Sequence, residues 1–160
     1  MDTGNPNGNG LLPFKTFRLH ASRRRKRINY SRRLSWEEYA RVRKGLVPLS
    51  TSDKWLVLFR SGALYFYRSG NGTLVYKIRF RHQGEGFEAC EAWVNDDPEQ
   101  IDPLCENYEC RLLDYLIDRL LLNREMKFPL PEQMSRQQGA MLERLWMGNA
   151  AGSRNRESSR

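Results

Sequence analysis

Residues 54–60 (KWLVLFR), 63–68 (ALYFYR), 73–81 (TLVYKIRFR) and 87–94 (FEACEAWV) are short runs rich in aromatic and β-branched side chains. They are divided by Ser61-Gly62, by Ser69-Gly70-Asn71-Gly72 and by a segment carrying Gly84 and Gly86. Short links of Gly and Asn between such runs are hairpin turns, so the stretch predicts a four-stranded antiparallel β-meander. In the third run Leu74, Tyr76, Ile78 and Phe80 alternate with Lys77, Arg79 and Arg81. That alternation gives a sheet with one buried face and one wet, cationic face.

The sequence on either side supplies helices to cover the buried face. Upstream, Leu34-Ser35-Trp36-Glu37-Glu38-Tyr39 is a helix-start signature, with Ser35 as cap, Glu38 closing a capping box, and Leu34 and Tyr39 as the apolar staple. Lys44, Gly45 and Pro48 end that short helix. Downstream, an acidic loop ends in Asp102-Pro103, a cap followed by proline, and 104–123 reads as the main helix. Its apolar positions Leu104, Tyr108, Leu112, Tyr115, Leu116 and Leu120 recur at helical spacing. The run at 128–131 (FPLP) stops it, and a last helix is expected within 132–148, through Met141, Leu142, Leu145 and Trp146. The fold class is therefore α+β: a four-stranded antiparallel meander covered by a C-terminal helix, with a short N-terminal helix. The divisions are a disordered basic arm at 1–33, the domain at 34–131, the C-terminal helix at 132–148 and a disordered tail at 149–160.

Charge is divided as sharply as structure. The formal net charge is +8, of which residues 1–49 contribute +9 and residues 50–160 contribute −1. The excess lies in Arg23-Arg24-Arg25-Lys26-Arg27 and in Arg32-Arg33. Adjacent cations repel in any compact form and attract polyanions, because each phosphate they neutralise releases counterions. These seven residues are the candidate nucleic-acid contacts.

Other chemistry is sparse. Three cysteines (Cys90, Cys105, Cys110) and two histidines (His20, His82) do not form a zinc-ligand spacing, so neither metal nor cofactor is expected. An odd cysteine count, with no signal-type leader and no membrane-length apolar run, points to a reducing, cytoplasmic setting without membrane contact. No P-loop, dinucleotide fingerprint or hydrolase elbow occurs. One further site suggests itself: Arg68 followed by the turn Ser69, Gly70, Asn71 and Gly72, whose amides could cradle a phosphate, with Glu91 as a nearby carboxylate. The plainer reading of those glycines is that they supply positive φ in a tight turn. Likewise Trp55, Tyr65, Tyr67 and Trp93 could stack on bases or simply fill a core.

Lys54-Trp55, Leu64 to Ser69 (LYFYRS), Glu91 to Asn95 (EAWVN) and Leu116 to Leu122 (LIDRLLL) occur together in this order. In this the chain resembles a family of small, mostly bacterial proteins with the signature KW…LYFHRSWTG…EAWVN…LIDRLLL, over roughly residues 35–131. Modules of that family also occur appended to ADP-ribosylglycohydrolase-like domains, and some members are labelled as fusion proteins of 8-oxoguanine DNA glycosylase. The resemblance implies the same α+β fold and a context of ADP-ribose or DNA damage. Where the family has Trp and Thr after Arg-Ser, this chain has Gly70 and Asn71. Three functions are thus set up: a non-enzymatic module that holds polyanions through the arginine-rich arm, an ADP-ribose or nucleotide site at Arg68, the turn and Glu91, and a subunit that docks on a protein partner.

Overall fold

The computed structural model describes residues 18–102 and 104–148. Its strands are β1 (Arg25–Ile28), β2 (Arg33–Ser35), β3 (Trp55–Arg60), β4 (Ala63–Arg68), β5 (Leu74–Gln83) and β6 (Gly86–Asn95). Helices α1 (Trp36–Val42), α2 (Glu106–Leu116) and α3 (Arg136–Met147) complete it, and α2 runs on into a π-helical turn at Ile117–Leu121. The antiparallel order is β1-β6-β5-β4-β3, with β2 also paired to β6. The β3–β4 hairpin closes on Ser61 and Gly62, both at positive φ (50° and 77°), a two-residue turn whose twist matches the flanking strands.

The sheet thus has six strands where four were expected, and order begins well before Leu34. Of the arm assigned to 1–33, residues 25–28 form β1 against β6, pairing Arg25 with Asn95 and Arg27 with Trp93. Ile28, Tyr30 and Leu34 are all buried in the core. Edge strands tolerate charge because one rim faces water, so an arginine-rich segment with one apolar residue in four still pairs there. Residues 1–17 and 149–160, assigned to the arm and the tail, lie outside the described residues.

Trp55, Val57, Leu64, Phe66, Tyr76, Ile78 and Phe80 form the inner face, packed against Leu112, Leu113, Leu116 and Ile117 from the helix above. The β5 alternation holds from Tyr76 to Arg81 but fails at its start. A register shift opposite Phe66 and Tyr67 leaves Val75 as an extra residue, so Leu74 pairs with Tyr67 and points outward. A second shift, at Cys90, displaces the numbering of faces along β6.

The capping box at Ser35 and Glu38 is present, and a second one, Ser135 with Gln138, starts α3. By contrast α2 begins at Glu106, after Cys105, and not at the expected Asp102 cap. The Glu106 carboxylate accepts the Asn29 amide (2.7 Å), which ties the start of the helix to the end of β1. One ionic cluster clamps the N-terminal segment to the helices. Arg32 lies 2.6 Å from Asp118 and 3.1 Å from Asp114, the Tyr30 hydroxyl donates to Asp114, and Arg124 bridges Asp118 to Glu38. Burial raises the Asp118 carboxyl, but the Arg32 and Arg124 guanidiniums outweigh it and hold the group below its ordinary value.

Candidate nucleic-acid interface

Residues directly opposite in a β-ladder share a face, so the register alone builds the outer surface. Leu58 pairs with Tyr65, Tyr65 with Lys77, Lys77 with Trp93, and Trp93 with Arg27. This is a row crossing five strands that, from Tyr65 to Arg27, alternates rings with cations. The Arg25 and Arg27 guanidiniums lie 5.1 and 6.0 Å from the centre of the Trp93 ring. Arg60 and the Lys77 ammonium lie 5.1 and 5.3 Å from that of Tyr65. Tyr65 and Tyr67, two residues apart on β4, set their rings nearly parallel with centres 6.4 Å apart. Arg60 also donates to the Tyr67 hydroxyl (3.1 Å), whose pKa is pushed up by burial.

Beside this row opens a cleft of about 390 Å³. Tyr65, Tyr67, Leu74 and Lys77 line it from the sheet, with Arg25, Arg60 and, from the segment before β1, Leu19, Ala21 and Ser22. Among the described residues no carboxylate lines it. Farther along the same face the charges are matched: Arg79 lies 3.9 Å from Glu91, and Arg81 forms an ion pair with Glu88. The bulge at Cys90 is responsible, since it brings Glu88 and Glu91 to one face where strict alternation would separate them.

The seven cations expected to act as one patch are dispersed by the fold. Arg25 and Arg27 join the outer row, while Arg23 and Arg24 are exposed just before β1, the latter 3.8 Å from Asp96. Lys26 is exposed and alternates to the other side of the strand. Arg33 sits opposite Glu88 on the outer face. Arg32 is turned inward, its side chain only 14% exposed and held by two aspartates.

The Arg68 site is not assembled either. Arg68 lies against the stacked pair Trp55 and Trp146, with its guanidinium 4.9 and 5.1 Å from their ring centres. It donates to the carbonyls of Trp146 (3.2 Å) and Leu145 (3.1 Å), capping the end of α3. Burial without a carboxylate partner lowers its pKa. Gly72 occupies positive φ (71°), and a Cβ there would fall 1.8 Å from the Arg18 carbonyl oxygen, so glycine is required for chain passage. Its amide donates to the Arg68 carbonyl, Asn71 caps the Thr73 amide, and the Ser69 hydroxyl donates to the Asp53 carbonyl. Gly70 faces open space. Glu91 lies elsewhere: it pairs with Arg79, which pairs with Ala63 at the opposite end of β4 from Arg68.

Trp55 belongs to the core, whereas Tyr65 and Trp93 are half-buried on the outer face. Arg60 is the residue that sequence reading passed over; its signal is its place at a strand end, just before the Ser61-Gly62 turn. Among the described residues no group of His, Cys, Asp and Glu is arranged to hold a metal, and Cys90, Cys105 and Cys110 are free thiols. No described helix is long and apolar enough to cross a membrane. No family model, curated protein or solved structure matches the chain.

Proposed function

We propose that the chain is a small, non-enzymatic nucleic-acid-binding module that grips phosphates with its outer sheet face. The observation that carries this reading is the row Arg27–Trp93–Lys77–Tyr65 with Arg25 and Arg60 beside it: four cations held over rings, with no carboxylate partner among the described residues. Rings fix long cationic side chains without neutralising them, so the charge stays available to an anion. An anion that satisfied all four would carry its charges in a line, as a nucleic-acid backbone does.

Removing residues 1–33 is a poor test, because it takes β1 and the buried Ile28 and Tyr30 out of the fold. Charge neutralisation is the better one. The Arg25→Gln, Arg27→Gln, Arg60→Gln and Lys77→Gln variant should stay folded and lose most affinity for oligonucleotides at low salt. With about four phosphates engaged, the log–log salt slope of the natural protein on duplex DNA should be roughly −3 to −4, and that of the variant near zero. An unchanged slope moves the interface elsewhere.

A further inference from the structure

The outer-face cleft offers two chemistries at once. Its lining includes three cations, which suit phosphate, and Tyr65, Tyr67 and Leu74 on the sheet face, which suit a flat apolar surface; Leu19, Ala21 and Ser22 complete it. Tyr67 is nearly fully buried and accepts a hydrogen bond from Arg60. Tyr65 stands nearly parallel to it, half-buried, with Arg60 and Lys77 over its ring. A cation over a partly exposed ring is held weakly. A heterocyclic base stacking on the same ring gains more, so the base can displace the cation onto its own phosphate.

Size and shape decide between strands. About 390 Å³ admits one nucleotide unit and cannot admit a duplex. In a duplex the base faces are stacked on one another, and only groove edges are presented. The row that crosses β4, β5, β6 and β1 also presents rings and not a protruding helix or ribbon, and a groove accepts the latter. In a single strand every base has a free face.

We infer that the cleft seats one base of a single-stranded nucleic acid on Tyr65, with the flanking phosphates on Arg25, Arg60 and Lys77. This rests on the reading of the outer face as a nucleic-acid interface and narrows it from any phosphate chain to single strands with bases.

Fluorescence anisotropy on the full chain at low salt tests it with four probes. These are labelled oligouridine, an abasic strand of equal length and charge, a duplex, and polyglutamate as an unlabelled competitor. Oligouridine should bind about tenfold more tightly than the abasic strand. Tyr65→Leu should remove that advantage and change abasic binding less than about twofold, while circular dichroism stays that of the natural protein. If the abasic strand or the duplex binds natural protein as tightly as oligouridine does, the base seat is wrong and the phosphate grip alone stands. If polyglutamate displaces oligouridine at equal charge, recognition is of acidic chains generally and the inference falls. If no strand binds, the functional reading falls with it. Should Tyr65→Leu fail to fold, the comparison of oligouridine with the abasic strand on natural protein decides alone.

Discussion

On the inner side of the sheet Arg32 and Arg68 are largely enclosed, and their polar contacts come from the protein. Arg32 meets two aspartates, and Arg68 meets two carbonyls and two indoles. On the outer side Arg25, Arg27, Arg60 and Lys77 rest on rings and, among the described residues, meet no carboxylate. Desolvating an arginine is costly, so a buried one is retained only with matched partners. A surface cation over a ring incurs no such cost and keeps its charge for something that arrives from solvent. Arg25, Arg27 and Arg32 come from one basic segment, residues 23–33, where Arg32 turns inward and its neighbour Arg33 outward.

Substitutions can break this contrast in a graded order. Arg32→Ala should be the most damaging, costing about 3 kcal/mol, because it leaves Asp118 and Asp114 without their shared cation. Urea unfolding measures it, and Arg32→Ala with Asp118→Asn together should cost less than the sum of the two. Arg68→Ala should cost roughly 2 kcal/mol through the lost helix-end bonds and ring contacts, and should leave nucleotide affinity unchanged. A stable variant with altered nucleotide binding would restore Arg68 as a ligand residue. Ser35→Ala, which opens the α1 capping box, should cost roughly 1 kcal/mol. On the outer face, Arg27→Gln should shift the unfolding midpoint hardly at all, by less than about 0.5 kcal/mol, while reducing the salt slope by roughly one.

One inner group breaks the pattern and can be tested by pH. Burial pushes the Glu109 carboxyl up, against the lowering effect of its bond from the Tyr76 hydroxyl and of Lys26. Folding therefore favours its protonated form: its contribution is fullest below the ordinary carboxylate value and is lost as pH rises through the raised one. Glu109→Gln, which keeps an acceptor for Tyr76, should raise the urea midpoint near about pH 7 and give no gain near about pH 4. Asp118 has the opposite sign, since its lowered carboxyl contributes above the ordinary value and loses that contribution as pH falls.

The four long strands were legible because period-2 alternation and turn residues agree there. Both helix starts marked by Ser35 and Ser135 follow the same local grammar of cap and third residue. β1 and β2 were not legible, because they are short and charged and owe their order to an unsatisfied edge of β6 supplied from far along the chain. The face of Leu74 was misassigned because an inserted residue at Val75 inverts the alternation and leaves no mark in composition. The Arg32 cluster left a faint one. Asp114 and Asp118 stand four apart in the leucine-rich end of the helix, spacing that puts both on one side to meet a single cation. Of the candidate residues, Arg25 and Arg27 were visible as charge, but their use depends on Trp93, which only the register reveals.

β6 carries β1 on its C-terminal half and β2 on its N-terminal half, so two early segments share one late strand. During synthesis the ribosome delivers Arg25 long before its partner Asn95. The first ordered strand must therefore wait for residues 86–95 before it can pair, and its closure is a long-range event that rewards the chain only after the hairpins between β3 and β6 exist. Until residues 86–95 are made, the arginine-rich stretch has no strand to pair with, and its place as an edge depends on a partner some seventy residues later.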